Sequence, residues 1–262
     1  EELSYSGFAN IDNEIDEQEF LESAIELKAQ YSSWIKEQIK NAENIDDGFK
    51  EASKTNIDEA AEWLKRISNG IDLIINNDSV RTAFRLTNHA MAIQFNRYKG
   101  LKSKTSNESL KGEENLINDL MSNNHSSLKG GWRPFQLAFL LGVIPDINNP
   151  ENDFRDIVDL IWFPTGGGKT EAYLGIAAFT LFYQRIIDKD DDGTAVLMRY
   201  TLRLLTAQQF ERASKLICSM EIIRKKNPEQ LGSTEFSIAI WVGGSTSPNT
   251  KKQAIENLKK LK

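Results

Sequence analysis

The segment Trp162-Phe163-Pro164-Thr165-Gly166-Gly167-Gly168-Lys169-Thr170-Glu171 constrains this 262-residue chain more than any other. It follows an apolar run, Ile157 to Phe163, that is too short for a helix, and it leads into a helical pattern from Lys169 to Ile187. Three consecutive glycines give up conformational entropy that an ordinary turn would keep, so the backbone shape itself is what the sequence specifies here. Positive φ angles turn N–H groups inward and make a concave nest for phosphate oxygens at the positive end of the next helix. Lys169 adds a mobile cation, and the Thr170 hydroxyl follows one residue later, where it can ligate the Mg²⁺ that bridges terminal phosphates. These parts predict a nucleotide cradle with Mg²⁺. Thr165, Gly166, Gly167, Gly168, Lys169, Thr170 and Glu171 are the expected nucleotide contacts, with Lys169 and Thr170 as the catalytic pair and Thr170 as the Mg²⁺ ligand.

The texture on either side of residue 130 differs. Before it, three amphipathic patterns predict helices: Ile15 to Ile39, Ile57 to Ile67 with a stop near Asn69-Gly70, and a third that begins after Ser79 as its cap. Residues 101–130 are rich in Ser, Asn, Lys and Gly and read as a linker. After it, short apolar runs at 157–163, 194–200 and 236–242 alternate with helical patterns at Lys169 to Ile187 and Leu204 to Lys225. Such β/α alternation predicts parallel strands with right-handed crossovers. The expected architecture is therefore an α-helical N-terminal domain over 1–125 and an α/β domain with a parallel P-loop sheet over 126–262.

Composition narrows the class of function. At 40% apolar and 27% charged residues the chain can bury a core, and its longest apolar stretches fall far short of a membrane span. A single cysteine, Cys218, rules out a disulfide framework, and with His89 it is expected to be a packing residue on a helix. A reducing cytoplasm fits, with no membrane partner. The chain opens Glu1-Glu2-Leu3, without an initiator Met or a basic-then-apolar leader, and reads as an excised segment. Residues 1–60 hold 16 acidic against 5 basic side chains, so any nucleic-acid contact is expected from later residues. The stretch from Ser79 to Asn107 has no acidic residue and carries Arg81, Arg85, Arg97, Lys99, Lys102 and Lys104, a candidate basic face.

Phe163 stands where the generic phosphate loop has its first glycine, so the turn departs from the strict Gly-x-x-x-x-Gly-Lys-Ser/Thr pattern. It resembles instead the loop of superfamily 2 helicases. Two further elements are similar to that family. Arg133-Pro134-Phe135-Gln136 resembles its adenine-reading turn, in which the Gln amide offers a donor and an acceptor together, with Pro134 opening a helix. Arg199 to Gln209 resembles motif Ia, which meets a nucleic-acid strand through its phosphates, and Gly243-Gly244 resembles the double-glycine phosphate contact. The stretches at 163–175, 199–205 and 209–213 resemble the DrmA-type helicases of bacterial DISARM phage-defence systems, and 83–91 is similar to the helical region before their helicase core.

The resemblance implies an incomplete first RecA-like core domain, with Arg133 and Gln136 joining the nucleotide site and Thr201, Arg203, Gln208, Gly243 and Gly244 contacting DNA without sequence choice. It also implies that the nucleotide is ATP, with ATP-driven movement on DNA and a partner protein of the DrmB type. No Asp-Glu-x-His box occurs in the 262 residues, so the chain alone is expected to bind ATP weakly and not to turn it over. Two other readings fit parts of the sequence: a P-loop ATPase that remodels proteins, and a non-hydrolysing docking module built on the acidic helical front.

Overall fold

The computed structural model describes residues 3–9, 14–100, 130–164, 166–200, 203–241, 248 and 250–260. A two-residue strand β1 (Leu3–Ser4) and a short helix α1 (Tyr5–Ala9) lead to two long helices, α2 (Glu14–Ala42) and α3 (Lys50–Asn76). Helix α4 (Asp78–Gly100) ends the first part. Strand β2 (Gly131–Trp132) then opens α5 (Pro134–Asn148), followed by α6 (Lys169–Ile187), α7 (Arg203–Lys226), α8 (Pro228–Leu231) and α9 (Lys251–Lys260).

The helical reading of the first hundred residues holds, with two local differences. Asn69-Gly70 does not stop α3, because Gly70 is buried where the helix crosses α5. A Cβ at that position would lie 2.0 Å from the Leu141 carbonyl oxygen, so this glycine permits close helix approach. The start of α4 is capped by Asn77 and not by Ser79. The Asn77 side-chain oxygen accepts from the amides of Ser79 at 3.0 Å and Val80 at 3.1 Å.

Among the described residues the parallel, RecA-like sheet expected over 126–262 does not form. Among the described residues the only ladder is antiparallel, β1 against β2, pairing Leu3 with Trp132 and Ser4 with Gly131. The described residues of the three apolar runs at 157–163, 194–200 and 236–242 are not in strands. A strand persists only if its backbone groups find lateral partners, and none is available to these runs among the described residues. Their apolar character therefore remains on the surface: Trp162 is 90% exposed and Trp241 97%. Phe236 is an exception. It packs edge-on against Phe182 at 5.5 Å and lies beneath the Arg185 guanidinium.

The core is a helix-on-helix body. Helix α3 packs on α2 and α5, while α4 packs on α1, α6 and α7. One apolar cluster takes Phe8, Phe20, Phe84 and Met91 from the first part and Leu140, Phe179 and Met220 from the second. Buried Trp132 ties the parts together, its indole N–H donating to Asn88 Oδ1 at 2.7 Å and its ring meeting Tyr5 at 4.9 Å. The linker reading of 101–130, and the boundary placed at 125, fall almost wholly outside the described residues. Cys218 lies exposed on α7, contrary to the packing role expected of it, because it falls on the helix face away from Leu216 and Met220.

Candidate functional site

The glycine turn is built from its backbone outward. Gly166 has φ +82° and Gly168 φ +93°, left-handed values that a side chain would strain. Gly167 is needed for space, since a Cβ there would come within 2.5 Å of the Phe163 ring. Gly168 caps α6, so the free amides of the first helical turn lie at the turn. Lys169 folds back, its Nζ donating to the carbonyls of Phe163 at 2.5 Å and Pro164 at 3.2 Å. Thr170 follows in the first turn of α6, and Thr165 lies outside the described residues.

Helix α5 supports the turn from one side. Pro134 occupies its first turn, as the sequence predicts. Gln136 is 2% exposed, and both ends of its amide are engaged. Its oxygen accepts from the Arg133 amide at 2.8 Å, and its Nε2 donates to the Gly168 carbonyl at 2.7 Å. Arg133 Nη1 donates to the Gly167 carbonyl at 2.6 Å. The Phe135 ring stacks on Phe163, with centroids 4.0 Å apart. The carbonyls of Phe163, Pro164, Gly167 and Gly168 thus all accept hydrogen bonds from cationic or amide side chains. Within the turn the Gly167 amide donates to the Pro164 carbonyl at 3.0 Å and the Glu171 amide to the Gly168 carbonyl at 3.2 Å.

Helix α7 approaches from another side. Arg212 donates to Glu171 Oε1 in an ion pair that joins the first turn of α6 to α7. Burial, and then the Glu171 charge, push the Tyr5 hydroxyl well above the usual phenol range. Burial, with Tyr173 beside it and Arg212 opposing, raises Tyr200. Arg212 lies in the 209–213 stretch singled out by resemblance, but its pairing with Glu171 spans 41 residues and no local pattern announces it. Arg66 likewise meets Asp146 and Asp159 across 80 and 93 residues, with no local pattern to announce the pairing.

The residues expected to contact DNA are only partly described. Arg203 opens α7, and Gln208 is exposed on it. Thr201, Gly243 and Gly244 lie outside the described residues. Arg81 is not a free surface cation, since it donates to Asp78 and to the carbonyls of Ile74 and Ile75. Among the described residues no group of three or more His, Cys, Asp or Glu side chains is placed to hold a metal, and no helix is long and apolar enough to cross a membrane.

Fold and site together define a helical body that carries a lysine-tipped glycine turn, braced by α5 and α7. No protein-family model matches the chain. It is similar to DISARM protein DrmA of Bacillus paralicheniformis, with 37% identity over an alignment of 266 positions that takes in 97% of the chain. The chain spans 22% of the length of that relative.

Proposed function

We propose that the turn from Pro164 to Thr170 holds the triphosphate of ATP, within a longer protein that moves on DNA as part of DISARM phage defence. The observation that carries this reading is the pair of left-handed glycines placed directly before Lys169 and Thr170 at the start of a 19-residue helix. The likeness to a DISARM protein supports the setting. The turn's own donors fit an anion: the helix-terminal amides are fixed, and Lys169 must leave two neutral carbonyls to meet a charged group, an exchange that favours the stronger charge-assisted bond. Arg133 and Gln136 hold the turn through its carbonyls. Thr170 supplies the hydroxyl for Mg²⁺, which when bound would neutralise charge between the terminal phosphates. Arg203 and Gln208, with Thr201, Gly243 and Gly244, are proposed to meet the DNA backbone, and a partner of the DrmB type is proposed for the longer protein.

The test is a titration of the chain with a fluorescent ATP analogue and Mg²⁺, beside the Lys169→Ala variant. Saturable binding that weakens in the variant supports the reading. Equal affinity in both, or no binding, overturns it. In the longer protein, ATP hydrolysis stimulated by DNA is the expected result, and stimulation by a protein substrate but not by DNA would favour the remodelling ATPase.

A further inference from the structure

Arg66 of α3 makes an interaction set that the function above does not use. It is 5% exposed and has aromatic rings on its guanidinium: the Trp63 ring centroid lies 4.3 Å away and that of Phe154 5.0 Å. Its Nε donates to the Gly142 carbonyl of α5 at 3.2 Å. Nη1 donates to Asp159 Oδ1 at 2.7 Å and Nη2 to Asp159 Oδ2 at 2.9 Å, a two-pronged pair. Nη2 also donates to Asp146 Oδ2 at 2.5 Å, while Asp146 Oδ1 is buried with no hydrogen-bond partner among the described residues. Asp159 lies five residues before Pro164, within the extended run that delivers the chain to the glycine turn. That run has no ladder among the described residues, so side-chain contacts must fix it. Along it Val158, Leu160 and Trp162 are exposed, whereas Asp159 and Ile161 are less so.

We infer that Arg66 and Asp159 are positioning residues for the glycine turn: the pair ties the run at 157–163 to the crossing of α3 and α5 and so holds Phe163 and Pro164 where Lys169 and α6 meet them. Burial and the planar fork suit this role, because a lysine could not satisfy two carboxylates and a carbonyl in one plane. The consequence for nucleotide binding rests on the triphosphate reading, whereas the tether itself does not.

The experiment uses the chain with Cys218→Ser and spin labels at Glu59→Cys on α3 and Trp162→Cys beside the turn, both exposed. The label-to-label distance distribution is measured by pulsed dipolar spectroscopy. Asp159→Asn, which leaves the Arg66–Asp146 pair intact, is compared with Arg66→Met and with Ile74→Val, a core change remote from the tether. The expected result is a distribution that widens in Asp159→Asn and Arg66→Met but not in Ile74→Val. ATP-analogue affinity, measured in the unlabelled variants, is expected to fall about tenfold if the binding-competent turn drops to about a tenth of its population. An unchanged distribution in Asp159→Asn overturns the tether. A widened distribution with unchanged affinity overturns the positioning role. A widened distribution in a chain that binds no nucleotide supports the tether and defeats the triphosphate reading alone.

Discussion

The ammonium of Lys169 rests on two carbonyls of its own turn, so binding an anion exchanges neutral acceptors for charged ones. Lys169→Ala should remove a charge-assisted contact of roughly 1.5–3 kcal/mol and lower nucleotide affinity by about one to two orders of magnitude, read by titration. Gln136 makes a different case. With both ends of its amide committed to Arg133 and Gly168, Gln136→Ala should weaken triphosphate binding and uncap α5, at a cost of about 1 kcal/mol in stability. ATP and GTP affinities should fall alike, and a selective loss of ATP would show that the amide reads the base. Two carboxylates set opposing pH dependences. The Arg224 hydrogen bond holds Glu221 below its ordinary range, so its contribution is present above the unfolded pKa and is lost as pH falls through the folded one. Burial, only partly offset by Arg66, raises Asp146, so its contribution is present below the unfolded pKa and is lost as pH rises toward the folded one. Melting temperature followed from about pH 3 to 7 should lose part of its acid-side decline in Glu221→Gln, and should decline less with rising pH over the Asp146 window in Asp146→Asn.

At the scale of elements, the helices were legible because a 3.6-residue apolar repeat needs no distant partner to declare itself. The pattern from Lys169 to Ile187 marks α6 at both ends. The glycine turn was legible for the same local reason. What the sequence hid depends on crossing geometry. Gly70 looks like a stop signal, yet its missing side chain lets α3 touch the Leu141 carbonyl. Gly70→Ala should force the two helices apart and cost about 1–3 kcal/mol, measured by denaturant unfolding, whereas Gly48→Ala, with open space around it, should show no such loss. The bracing of the turn by Arg133, Gln136 and Arg212 was only half visible, because the motif names the residues but not their acceptors. The strands expected at 157–163, 194–200 and 236–242 are absent among the described residues. Short apolar runs announce burial, but whether they pair depends on neighbours that periodicity within one segment cannot supply, and among the described residues the helices pack on each other without a sheet between them.

The runs left outside any ladder among the described residues bear on the behaviour of the molecule as a whole. The run at 157–163 carries Val158, Leu160 and Trp162 outward, and Leu197 and Trp241 are similarly exposed on other stretches outside helices and strands. An exposed apolar segment that joins no ladder among the described residues offers backbone groups and apolar side chains to another chain. Surface charge opposes this only in part: a net charge of −6 is weighted toward residues 1–60, which hold 16 acidic and 5 basic side chains. Repulsion therefore acts mostly at the acidic front and little at the exposed run. The chain by itself should self-associate with rising concentration, seen by sedimentation velocity, and more so in salt, which screens the acidic front while leaving apolar contacts intact. Leu160→Lys, placed on the outward side with Asp159 left to hold Arg66, should shift the distribution toward monomer without lowering the melting temperature. If the variant associates as readily as the parent chain, the exposed run is not the sticky surface, and the acidic helical hairpin of α2 and α3 becomes the surface to vary.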